Sequence, residues 1–253
     1  MITIDVNCDM GEGCGNDAEL MKYISSANVA CGFHAGDLQT MRTTVGLALE
    51  YGVAIGAHPG YPDRENFGRL PMKLSPKEIF DIVTEQILSL ERVCSESGEV
   101  LQHVKPHGAL YNRAAKDAEL AAAIAEAVLH FDRRLILYGL SGSFLISEAE
   151  KVGLRCASEV FADRTYQPDR SLTPRSESNA LIIDDGAAVA QALQMIRSGT
   201  VTAVNGGAIT IKADTLCVHG DGAHSVDFAT AIRNSLAENG VRVMSPGFRR
   251  PAA

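Results

Sequence analysis

Short apolar runs rich in β-branched residues alternate along the chain with longer stretches whose apolar positions recur every three or four residues. That rhythm predicts strand–helix repeats around a parallel sheet. Seven strands are expected, at 4–8, 28–31, 53–57, 100–105, 135–138, 154–160 and 215–219. The clearest helix start is Ser75-Pro76-Lys77-Glu78: Ser75 caps, Pro76 takes the first turn and Glu78 closes a capping box. An apolar stripe from Ile79 to Leu90 follows, and Gly98 ends the helix. Further helices are expected over 37–50, 117–130, 143–152, 185–196 and 225–239. Around Asn205-Gly206, segments 201–204 and 209–212 read as a two-residue hairpin inserted into the rhythm.

The chain has 253 residues, 46% of them hydrophobic and 21% charged, which suits a folded chain with a sizeable core and excludes disorder. A length near ~250 fits one α/β barrel, and no linker-like tract divides the sequence. The 23 basic and 31 acidic residues leave a net charge of −8, which argues against nucleic acid and membrane surfaces as partners. No run approaches the ~18 apolar residues of a membrane span, and the first residues carry neither a basic nor an apolar leader, so a cytoplasmic protein is expected. Six cysteines lie scattered without a C-x-x-C pair and read mainly as buried thiols.

Candidate chemistry gathers at the carboxyl ends of the expected strands: Asp9 and Glu12, His34 and Asp37, His58, Lys105 and His107, Glu159 and Asp163, then His219 and Asp221. In a parallel barrel these ends open on one face, where active sites are built. The opposite ends, such as Val53, Leu101 and Leu135, carry no such cluster, an asymmetry that favours an enzyme.

Asn7-Cys8-Asp9-Met10-Gly11-Glu12-Gly13-Cys14-Gly15 leaves a strand into a glycine-rich turn whose amides suit an oxyanion, with Asn7 and Asp9 on the same side. It is not a Walker loop, and no G-K-[ST] occurs in the chain. His34 stands between glycines as an acid, base or ligand, while Asp37 is equally a helix cap. His58 precedes a long Pro-rich loop in which Arg69 is placed to clamp a carboxylate. Alternation sends His103, Lys105 and His107 to one side of their strand, with His103 read as structural. Asp9, His34 and His58 also form a conceivable zinc donor set, but the spacing is not diagnostic and no metal is assigned.

The blocks NCDMGEGCG, ANVACGFHAGD, GAHPGYPD, HVKPHGALYN, EVFADRTY and VHGD, in that order from Asn7 to Asp221, resemble the LamB/YcsF family. Asp169-Arg170 departs from the family's usual Asp-Gly, which touches only the local turn. The resemblance implies one distorted seven-stranded β/α (TIM-like) barrel over 1–253, of the glycoside hydrolase/deacetylase type. It implies ATP-dependent opening of the lactam 5-oxo-L-proline to L-glutamate, with partner subunits B and C and with ATP and Mg2+ as co-substrate. It carries Asp9, Glu12, His34, Asp37, His58, Lys105, His107, Glu159, Asp163, Arg164 and His219 as shared polar positions.

As expectations, Asp9 or His58 would activate water, and His107 or His34 would protonate the leaving nitrogen. Lys105 with the Gly11–Gly15 amides would hold developing charge, and Arg69 or Arg164 the substrate carboxylate, with Asn7, Glu12, Asp37, Glu159, Asp163 and His219 as further binding groups. The competing readings are a metal-dependent deacetylase of N-acyl sugars and a noncatalytic lactam-binding protein.

Overall fold

The computed structural model describes residues 1–218 and 224–247. In chain order it contains β1 (Ile2–Met10), α1 (Asp17–Leu20), β2 (Ser26–Ala30), α2 (Leu38–Tyr51), β3 (Ala54–His58), α3 (Pro76–Glu96), β4 (His103–Val104), α4 (Gly108–Ala114) and α5 (Ala118–Phe131). There follow β5 (Ile136–Leu140), α6 (Phe144–Lys151), β6 (Arg155–Phe161), α7 (Asp185–Ser198), β7 (Thr200–Thr202), β8 (Ala208–Thr210), β9 (Thr215–Cys217), α8 (Ser225–Glu238) and β10 (Val241–Val243).

The parallel ladder runs β1-β2-β3-β4-β5-β6-β9 and returns to β1, closing a seven-stranded barrel. β1 is shared lengthwise: Asp5–Asn7 pair with β9, while Ile2–Ile4 pair with β10. β10 and the one-turn helix α1 are not marked in the pattern, because three or four residues fall short of the several repeats that an alternation or an apolar stripe needs.

Helix ends follow the local chemistry. α3 begins with the expected capping box, Ser75 and Glu78 each bonding the other's backbone N–H, and α2 ends on Gly52 in the left-handed region. Two expectations need correction. Five residues, 203–207, separate β7 from β8, so the Asn205-Gly206 turn is not a two-residue hairpin. The strand expected at 100–105 is regular only at His103–Val104, although the Gln102 and Lys105 amides still donate to Ile55 and Ala57 of β3.

The main apolar core lies between the outer face of the barrel and the helices, and β1 contributes Ile4, Val6, Cys8 and Met10 to it. Its alternate residues Asp5, Asn7 and Asp9 make a polar column instead, because successive strand side chains face opposite sides. Asp5 is fully enclosed and accepts hydroxyl hydrogen bonds from Ser25 (2.6 Å), Ser26 (2.8 Å) and Thr215 (2.6 Å). Among the described residues no helix is long and apolar enough to cross a membrane.

Candidate active site

The floor of the site is built by register. Asn28, Gly56 and His103 are direct partners on β2, β3 and β4. Gly56 is obligatory, since a Cβ there would lie 2.1 Å from His103 Nε2. The His103 ring stacks on Tyr138 at 4.3 Å and donates from Nε2 to Asn28 Oδ1 at 2.8 Å. Burial, with the Lys105 charge, pushes the His103 imidazole down to about 3, so it stays neutral. The Asn28 amide nitrogen then donates to Asn7 Oδ1 and Asp9 Oδ1, each at 2.8 Å.

Lys105 rises through this floor. Its Nζ lies 3.0 Å from Asp9 Oδ1, 2.8 Å from Glu159 Oε1 and 3.1 Å from Asn7 Oδ1. Burial opposes the charge, but Asp9 and Glu159 outweigh it and raise the ammonium well above its ordinary range. Burial likewise opposes ionisation of Asp9, yet His58 and Lys105 hold that carboxyl well below its usual value. Tyr111 Oη donates to the other Glu159 oxygen at 2.6 Å.

Three imidazoles converge beside Asp9. Glu12 Oε1 lies 3.1 Å from His34 Nε2, 3.3 Å from His107 Nδ1 and 3.7 Å from His58 Nε2. His58 Nε2 is also 3.3 Å from Asp9 Oδ2 and 2.9 Å from His107 Nδ1. The outer nitrogens are tied to backbone: His58 Nδ1 donates to the Lys105 carbonyl at 2.7 Å and His107 Nε2 to the Phe67 carbonyl at 2.9 Å. Phe67 holds that carbonyl in place from φ 56, a left-handed conformation uncommon for a bulky residue. Burial opposes the charge on Glu12, but hydrogen bonds from His107 and His34 lower it to about 2. Burial opposes protonation of His58, and Asp9 more than compensates, raising it.

These groups open on a cavity of about 490 Å3. Asp9, Glu12, His58, Lys105 and His107 line its floor, and Arg69, Lys116 and Arg175 stand on its wall.

The sequence profile of the LamB/YcsF family matches residues 4–249. The chain belongs to the LamB/YcsF family. Among the relatives it resembles is the A subunit of the 5-oxoprolinase of Geobacillus kaustophilus, 53% identical over 250 residues that cover 97% of this chain and 98% of that protein. Among solved structures it resembles the lactam utilization protein of Thermus thermophilus, with 43% identity, a TM-score of 0.92 and coverage of 97% and 100%. A polysaccharide deacetylase from Bacillus cereus, at 12% identity, TM-score 0.51 and coverage of 97% and 92%, shares the fold alone.

The LamB/YcsF positions separate by place. Asp9, His58, Lys105 and His107 meet in the cavity with Glu12, and Arg69 joins them from the wall. His34 does not line it: its ring is stacked behind His107 at 3.8 Å, enclosed by Gly60 and Gly68, so it cannot reach a substrate nitrogen. Burial pushes it down to about 4. Asn7 and Glu159 are fully buried beneath Lys105 and act as its partners rather than on substrate.

Asp37 is an exposed N-cap that accepts from the Thr40 amide, away from the cavity. Arg164 lines the cavity, but donates to the Thr173 and Ala180 carbonyls and so braces the 163–181 loop. Asp163 lies outside the lining, with its carbonyl accepting from Ile182. The Gly11 amide is spent on Asp17 Oδ2 at 2.8 Å, so it is no oxyanion donor. His219 and Asp221 fall outside the described residues. Asn28 and Tyr111 are functional neighbours that sequence reasoning did not single out; Tyr111 carries a signal, one helical turn after His107.

Proposed function

We propose that this chain is the A subunit of an ATP-dependent 5-oxoprolinase, opening the lactam of 5-oxo-L-proline to L-glutamate with partner subunits B and C. The observation that carries this reading is the cavity floor, where an acid–base set of Asp9, His58 and His107 sits beside the buried Lys105 charge under a basic wall. That wall belongs to a chain of net charge −8, so its cations are locally concentrated where a carboxylate or phosphate group would enter.

An unstrained lactam is resonance-stabilised and a poor electrophile. Transfer of the γ-phosphoryl group of ATP, with Mg2+, to the lactam oxygen gives an imidate-like phosphate and ADP. Water then adds to its carbon, the ring carbon–nitrogen bond breaks as the nitrogen takes a proton, and the acyl phosphate left behind is hydrolysed to glutamate and phosphate. The chain carries no Walker loop, so the phosphoryl transfer is assigned to the partners. Asp9 with His58 accepts the water proton, His107 protonates the departing nitrogen and Lys105 keeps Asp9 ionised. Arg69 holds the substrate carboxylate.

Reconstitution tests this directly, with glutamate formation from 5-oxoproline and ATP measured for this chain alone and with subunits B and C. Turnover is expected only from the full set and should fall ~10²–10⁴-fold in Asp9→Asn. Undiminished turnover of Asp9→Asn in an intact complex would refute the assignment and leave this chain a noncatalytic role.

A further inference from the structure

Two imidazoles in this site have fixed tautomers. His58 gives its Nδ1–H to the Lys105 carbonyl and His107 its Nε2–H to the Phe67 carbonyl, so each neutral ring turns a lone pair inward, from Nε2 and Nδ1 respectively. Those two atoms are 2.9 Å apart. Both face Glu12 Oε1, at 3.7 and 3.3 Å, and His34 Nε2 meets the same oxygen at 3.1 Å. When both rings are neutral, two lone pairs and a carboxylate oxygen therefore share one spot, with His34 Nε2 beside them. A single proton relieves one such contact, whereas a cation relieves all of them.

From this convergence we propose that Glu12, His34, His58 and His107 form a binding site for one first-row divalent cation, of which Zn2+ is the type. The donor atoms lie within 4.8 Å of one another. A tetrahedral ion with arms of about 2.0–2.2 Å sets its ligands roughly 3.3–3.6 Å apart, close to the 3.1, 3.3 and 3.7 Å spacings to Glu12 Oε1, while the 2.9 Å between His58 Nε2 and His107 Nδ1 would widen on binding. Three nitrogens and one carboxylate oxygen suit zinc or cobalt better than calcium or magnesium, which favour all-oxygen shells. Backbone carbonyls orient two of the imidazoles from outside, the second layer of contacts that histidine metal ligands use. Asp9 Oδ2, 3.3 Å from His58 Nε2, flanks the position on the cavity side, where a fifth ligand or a water would be met.

A bound cation would engage the His58 and His107 nitrogens that the lactam reaction proposed above also uses, but its test needs no turnover. The full-length chain, stripped with a chelator and confirmed folded by circular dichroism, is dialysed near neutral pH against micromolar Zn2+ or Co2+. One equivalent per chain is expected by elemental analysis, with the visible absorption of four-coordinate cobalt and a raised melting temperature. Glu12→Gln should weaken binding at least about tenfold, and His107→Ala more than the ~10–100-fold that loss of an orienting partner costs. If His107→Ala fails to fold, His34→Gln takes its place. No retained equivalent in the parent chain overturns the proposal, and so does equal binding by the parent and folded variants, which would mark an adventitious surface site.

Discussion

Replacing Lys105 by Met removes a cation from between two carboxylates while keeping most of the side-chain volume. Glu159 has no solvent exposure and Lys105 only 3%, so water cannot substitute for the lost ammonium. Breaking a buried ion pair from one side costs about 3–5 kcal/mol, because the other charge is left uncompensated. For a chain of this size each kcal/mol moves the melting temperature by roughly 2–4 °C, so a fall of about 6–20 °C is expected by calorimetry. Tyr111 still donates to Glu159, which keeps the loss from exceeding that range. Adding Glu159→Gln removes the stranded charge, and the double variant should recover about 1–3 kcal/mol relative to the sum of the two single effects. A Lys105→Met protein that melts within about 2 °C of the parent would refute the reasoning. Strict additivity in the cycle would do so too.

Gly56→Ala should be among the most damaging single-methyl changes, costing about 2–5 kcal/mol in a urea titration, since the His103 ring it meets is held by Tyr138 and Asn28; truncating His103 to Ala in that background should restore part of the loss. Arg170 has φ 72, and Arg170→Gly should stabilise the chain by about 0.5–1 kcal/mol once relief of the left-handed strain is set against glycine's greater freedom in the unfolded chain. Burial raises the Asp5 carboxyl above 3.8 despite its hydroxyl donors, so its favourable contribution is complete below pH 3.8 and is lost as pH rises through the raised folded-state value. The stability of Asp5→Asn relative to the parent should therefore increase with pH across that window, and a decrease in a pH series of denaturant titrations would contradict the sign.

Periodicity located most of the barrel strands because each of them, apart from the short β4 and β9, repeats its alternation or apolar run long enough to be read. β4 has two regular residues, yet Lys105 and His107 were found through their chemistry and their two-residue spacing. The end of a strand on which a residue falls is legible in a sequence; whether its polar atoms are already committed is not. Asp37 spends its carboxylate on the Thr40 amide, Arg164 its guanidinium on two carbonyls, and His34 its position behind His107, all through partners that composition cannot reveal. Asn28 shows the converse: a plain strand asparagine gains its importance from Asn7, Asp9 and His103, up to 75 positions away. The Arg170 departure was legible in kind, since the left-handed turn that glycine would suit is retained there.

The division of β1 between β9 and β10 bears on how the protein is made. β1 leaves the ribosome before the other strands of the barrel, but the neighbours that complete both halves of its open edge are encoded after residue 214. Until they emerge, Asp5 lacks Thr215, and the nascent chain holds an unpaired edge and a half-satisfied buried acid. Ring closure is thus a late event in synthesis, limited by contacts spanning more than two hundred residues, and premature termination short of β9 should yield chains that chaperones retain.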